Sequence, residues 1–108
     1  MLHPKILNGI LHNIVTYYDP EKVVIFGSYA KDYNTSASDI DLLVIKDTHL
    51  PKATRGRELQ HLFFDHIIPI DFHFYTNAEF EEERNIPCSF AHSIEQTGKI
   101  IYEKKIMN

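Results

Sequence analysis

One cysteine, Cys88, stands in 108 residues. A lone thiol has no internal partner, so the chain carries no disulfide framework and suits a reducing, cytoplasmic compartment. The thiol itself reads as a small buried side chain. Long apolar runs are missing too: none approaches the roughly 20 residues that a membrane-spanning helix needs. The opening Met1-Leu2-His3-Pro4-Lys5 lacks a secretory leader pattern. Basic charge is scarce, with 11 Lys and Arg against 15 acids and a formal charge of −4. That balance argues against long duplex nucleic acid as the main ligand, because backbone binding rests on clustered cations. A nucleoside triphosphate stays open, since it arrives with its own magnesium. The seven histidines show no paired metal spacing, which argues against a zinc site. No internal repeat or low-complexity segment appears.

What is present is ordinary for a globular chain, 44% hydrophobic and 24% charged. The length predicts one domain over residues 1–108, with a single core and no room for a separate acceptor-binding domain.

The informative stretch is Val23 to Ile45. An apolar run, Val23-Val24-Ile25-Phe26, ends at Gly27-Ser28, and a second, Ile40 to Ile45, begins within Ser38-Asp39-Ile40-Asp41. Both have strand length and β-branched content. In a strand, acids at i and i+2 project from one face with Cα atoms roughly 6.6 Å apart. Two like charges beside a strand bound for the core repel, and a divalent cation resolves the conflict. Mg²⁺ favours carboxylate oxygens together with substrate phosphates. Gly27 permits close backbone approach, a following helical turn offers N–H groups to an anion, and Ser28 adds a hydroxyl. One end of the stretch suits phosphate and the other a phosphate-bound metal.

Around it, Met1 to Tyr18 predicts an amphipathic helix with Ile6, Leu7, Ile10, Leu11, Ile14 and Val15 as its apolar stripe, stopped at Asp19-Pro20. His3 and His12 fall on the solvent side. Ser28 to Lys31 predicts a short helix facing the site, and Asp32 to Ala37 a loop. Lys31 reaches a phosphate or stays solvated; Ser38 donates to a phosphate or folds back on local backbone. Tyr29 and Tyr33 stack on a base or pack over the helix. Pro51 to His66 predicts a helix with Leu59, Leu62, Phe63 and His66 on one face. Arg55 and Arg57 near its start serve a phosphate tail or a solvated face, and Gly56 between them suggests mobility.

Pro69 to Tyr75 alternates Ile70, Phe72 and Phe74 with Asp71, His73 and Tyr75, a period-two strand. Paired beside Ile40–Ile45, at about 4.8 Å, it brings Asp71 to Asp39 and Asp41 as a third carboxylate. His73 shares Asp71's face, in a supporting or surface role. Thr76-Asn77-Ala78-Glu79 is a capping box that starts a helix, with Glu81-Glu82-Glu83 as its solvated face. Asn85-Ile86-Pro87 interrupts, Ser89 caps a last helix, Gly98 stops it, and Lys99 to Glu103 closes the chain as a strand.

Gly27-Ser28-Tyr29-Ala30 followed by Ser38-Asp39-Ile40-Asp41-Leu42 resembles the signature of the DNA polymerase beta-like nucleotidyltransferase superfamily. The short length points to its minimal nucleotidyltransferase branch, often paired with HEPN-domain partners. Gly98 through Glu103 approximates the Gly-x-x-x-Tyr-Glu pattern that often ends the domain. Many members carry glycine where this chain has Asp32, a residue that tolerates left-handed backbone. The resemblance implies an α/β (α+β) nucleotidyltransferase fold, a small mixed sheet with flanking helices. It implies two Mg²⁺ ions on Asp39, Asp41 and Asp71 as the catalytic and metal-binding acids, with Gly27, Ser28, Ser38 and Lys31 on the nucleotide. It implies transfer of a nucleoside monophosphate, AMP from ATP or another triphosphate, to a hydroxyl on a HEPN-type toxin, this chain being the antitoxin. The alternative is a module that neutralises such a partner by contact. A homo-oligomer is left open.

Overall fold

The computed structural model describes residues 4–27, 39–64 and 68–104. Its elements are helix α1 (Pro4–Tyr18), strand β1 (Lys22–Phe26), strand β2 (Ile40–Ile45), a 3-10 turn (Lys52–Thr54), helix α2 (Arg57–Leu62), strand β3 (Ile70–Tyr75), helix α3 (Asn77–Arg84), helix α4 (Phe90–Thr97) and strand β4 (Lys99–Glu103). The sheet order is β3-β2-β1-β4. β1 runs antiparallel to β2 and to β4, whereas β2 and β3 are parallel. This is the mixed sheet with flanking helices that the sequence implied, an α+β nucleotidyltransferase-like architecture.

Alternation along the strands sorts the core into two layers. Val23, Ile25, Leu42, Val44, Phe72 and Phe74 face α1 and α2, meeting Ile10, Ile14, Leu59 and Phe63. Val24, Phe26, Leu43, Ile45 and Tyr75 face the other way and meet Ile94 and Phe80. The odd–even split is the period-two signal of a strand covered on both sides. β2 is central, and five of its six residues are buried. α1 ends where expected: Asp19 turns to φ 53° ahead of Pro20. Ile6 of the predicted stripe is exposed, and the buried face narrows to Ile10, Ile14 and Tyr18.

A parallel pair needs a long crossover, and residues 46–69 supply it. Their structure departs from the expected continuous helix. The chain makes a 3-10 turn, breaks at Arg55 and Gly56, then forms the short α2. Gly56 caps α2 at φ +70°, and a Cβ there would collide with the Phe74 ring. Close packing, not mobility, explains that glycine. Leu62 is exposed, and His66 lies outside the described residues.

Local signals downstream hold. The Thr76–Glu79 capping box is complete, with Thr76 Oγ1 accepting from the Glu79 amide at 3.1 Å and Glu79 Oε1 accepting from the Thr76 amide at 2.9 Å. Ser89 caps α4 by accepting from the His92 amide at 3.1 Å. Gly98 follows α4 in extended backbone. Two expectations fail. Cys88 is exposed at φ 67°, on the turn between α3 and α4, so it is no core thiol. Glu83 is not merely solvated: its carboxylate accepts from the Tyr75 hydroxyl and the Ala91 amide, both at 2.9 Å. The Tyr75 pKa is pushed up to about 12 by burial first and by that bond second. Among the described residues no helix is long and apolar enough to cross a membrane.

Candidate active site

Asp41 is the one residue of β2 that escapes full burial. It follows the fully buried Ile40 and precedes the fully buried Leu42, and it projects on the opposite face from both. The parallel register sets Asp71 of β3 directly across from it. Two carboxylates therefore face each other on adjacent strands. Further along the same face of β3, His73 places Nε2 3.3 Å from Asp71 Oδ2. Its ring packs against Phe26, at 5.4 Å, and Phe90, at 4.8 Å between centroids. Donor atoms of Asp41, Asp71 and His73 all lie within 4.8 Å of one another.

Electrostatics make this spot unfavourable without compensation. Burial, and then the Asp71 charge, raise the Asp41 pKa; Asp39 pushes the same way and His73 opposes. Like charges directly opposite on neighbouring strands destabilise a sheet. A bound cation reverses both effects, because hard divalent ions take carboxylate oxygens.

Gly27 is part of the same construction. It sits at φ +74°, and a Cβ on it would come within 2.5 Å of Asp41 Oδ2. The glycine after β1 thus makes room for the carboxylate. Asp39 is exposed, immediately before β2, and acts on Asp41 through its charge without joining the group of three donors. Ser28, Lys31 and Ser38, together with Tyr29, Asp32 and Tyr33, lie outside the described residues.

Neither phosphate nor solvent claims Arg55. Its side chain is buried, and Nη1 and Nη2 donate to Glu79 at 2.7 and 3.1 Å, while Nε donates to the Leu50 carbonyl at 2.9 Å. Nη1 also reaches the Phe74 carbonyl at 3.4 Å. The guanidinium ties the crossover to the end of β3, and holds the Glu79 pKa down to about 2. Arg57 is exposed at the start of α2. Sequence reasoning did not foresee the aromatic walls on His73. Phe26 carried a signal, since it adjoins Gly27; Phe90 carried none, because only tertiary packing brings α4 there.

The family model "Polymerase beta, Nucleotidyltransferase" matches residues 8–106. The chain belongs to the polymerase beta nucleotidyltransferase family. No curated protein matches this nucleotidyltransferase significantly. Solved structures do. A toxin-antitoxin with AMP-PNP is 18% identical with a TM-score of 0.61, covering 96% of this chain and 76% of that chain. A variant of the toxin-antitoxin MntA-HpeT is 19% identical with a TM-score of 0.58, covering 97% and 76%. Another MntA-HpeT variant is 16% identical with a TM-score of 0.60, covering 96% and 76%. At these identities the likeness speaks for the fold. The acids, glycine and histidine above are the described part of the nucleotidyltransferase's candidate site.

Proposed function

We propose that this nucleotidyltransferase moves AMP from ATP to a hydroxyl on a partner protein, acting as the antitoxin of a HEPN-type toxin-antitoxin pair. The observation that carries the reading is the in-register pairing of Asp41 with Asp71 beside Gly27. The toxin-antitoxin neighbours, one of them with AMP-PNP, support the partner class and the nucleotide.

The donor set fits a divalent cation such as Mg²⁺: two facing carboxylates with an imidazole beside them, and Asp39 acting on Asp41 through its charge. Asp39, Asp41 and Asp71 would hold the metal, two ions in the family's scheme. Bound divalent ions lower the pKa of the acceptor hydroxyl and neutralise charge on the triphosphate. The residues of this chain do the positioning. Asp41, fixed in the central strand, would hold metal together with Asp39. Gly27 backbone and Ser28 orient the β and γ phosphates, with Ser38 and Lys31 as further phosphate contacts. Asp71, on the more exposed strand, serves the acceptor side. The hydroxyl oxygen bonds the α-phosphorus in line as the bond to pyrophosphate breaks, and the hydroxyl proton leaves to solvent.

The test is incubation of the chain and its co-purifying partner with Mg²⁺ and ATP labelled at the α-phosphate. Label should appear on the partner and vanish with Asp41→Ala. Stoichiometric complex formation without label would support neutralisation by contact instead, and transfer by Asp41→Ala at the wild-type rate would remove the assignment.

A further inference from the structure

We infer that His73 is a nitrogen ligand to the divalent cation held by Asp41 and Asp71, and that it tilts this site toward Mn²⁺ over Mg²⁺. The inference rests on the reading that the two aspartates hold metal. Its own evidence is the placement of the imidazole. Among the described residues, the donors that converge are two carboxylates and one ring nitrogen, while Asp39 stays outside that group. At 3.3 Å from Asp71 Oδ2, Nε2 is beyond the usual length of a charge-assisted hydrogen bond, about 2.7–2.9 Å. The nitrogen and the carboxylate are within ion-pair reach of each other, and a cation seated between them would take both as ligands. Phe26 and Phe90 both pack against the ring and meet each other edge-on at 5.3 Å, a three-ring cluster that fixes the imidazole from one flank. The imidazole is thus oriented before any ion arrives, which removes rotamer entropy from the cost of ligation.

Ligand chemistry then decides the preference. Mg²⁺ takes oxygen almost exclusively and keeps its waters. Imidazole suits first-row transition ions better than it suits Mg²⁺, and Mn²⁺ is the member of that row that carboxylates and water also suit, so a mixed carboxylate and imidazole set accommodates it. Neither the spacing of histidines in the sequence nor the acidic signature points to this, because the ligand comes from the third strand and its aromatic neighbours from the first strand and the last helix.

The experiment uses the whole chain without nucleotide. Mn²⁺ and Mg²⁺ affinities are measured for wild type, His73→Phe and Asp41→Asn, and bound Mn²⁺ is examined by pulsed electron paramagnetic resonance. Phenylalanine keeps the packing on Phe26 and Phe90 and removes the nitrogen. Expected are imidazole nitrogen modulation on Mn²⁺ in wild type, its loss in His73→Phe, and a fall in Mn²⁺ affinity at least as large as the roughly 10-fold that losing a ligand's outer-shell partner costs, with Mg²⁺ affinity little changed. Mn²⁺ bound by wild type without nitrogen modulation, yet lost in Asp41→Asn, would overturn the role of His73 and leave the acidic site standing. Failure of wild type to bind either ion, or equal binding by Asp41→Asn, would overturn both. The spectrum of wild type decides the matter even if His73→Phe fails to fold.

Discussion

Replacing Asp41 by asparagine should stabilise the metal-free protein and abolish its response to metal. The carboxylate is flanked by fully buried neighbours and faces Asp71 across one strand spacing. Its pKa is raised by burial and by Asp71. The sign follows directly. An acid whose folded pKa lies above its unfolded value favours folding only while protonated. That contribution is complete below the unfolded pKa and disappears as pH rises through the folded one. At neutral pH the ionised pair is a net cost, about 0.2–1 kcal/mol for like charges directly opposite in a sheet. For a domain of this size that corresponds to about 1–8 °C in Tm. Asparagine keeps the volume and drops the charge. Thermal melts followed by circular dichroism with chelator should therefore place Asp41→Asn above wild type. Saturating divalent metal should invert the order. Ligand at a hundredfold excess over its Kd stabilises the native state by about 2.7 kcal/mol, more than the repulsion removed. Wild type rises; the variant stays. If the variant melts below wild type in chelator, the repulsion argument fails. If wild type does not move with metal, the metal site fails.

Three more outcomes can be checked together. Gly27→Ala should lose about 1–2 kcal/mol from left-handed backbone alone and, by driving a methyl into Asp41 Oδ2, should erase most of the metal-induced rise in Tm; a full rise would show that the carboxylate tolerates displacement. Arg55→Met should destabilise by about 2–3 kcal/mol in urea unfolding, because it takes the guanidinium from Glu79 and leaves the Leu50 carbonyl without its donor, and Arg55→Lys should recover little, since an ammonium cannot reproduce the two-pronged contact. Glu79 is held at about 2 against its ordinary 4.5, so its contribution is present above the unfolded value and lost as pH falls from about 4.5 toward 2; acid titration of Glu79→Gln should be flatter than wild type across that window.

Where the signal was local, the chain was legible. β2 runs Ile40–Ile45 and β4 Lys99–Glu103, the bounds that apolar runs and the Gly98 stop indicated. The alternation from Ile70 to Tyr75 located β3, and the Thr76 and Ser89 caps located two helices. Where tertiary partners decide, the sequence was silent. Arg55 looks like any helix-face cation until Glu79, distant in sequence, claims it. Gly56 looks like weakness until Phe74 is seen pressed against it. Cys88 reads as core by residue type, but the turn before α4 needs a positive φ and turns the thiol outward. The site divides in the same way. Asp41 stands out by its spacing from Asp39 and Asp71 by strand phase, though Asp39 stays outside the converging donors, whereas the register of Asp71 and the aromatic neighbours of His73 exist only once the sheet is assembled.

The parallel pairing of β2 with β3 also sets a time order. β1 and β2 are sequence neighbours, so their hairpin closes over a short span. Asp71 reaches Asp41 only after the whole crossover, α2 included, has been threaded back along the sheet, and such non-local contacts form late. A nascent or half-collapsed chain therefore displays Asp41 without its opposite number. Affinity for the ion should emerge only once that pairing has formed, which makes cation uptake a marker of sheet assembly rather than a seed for collapse.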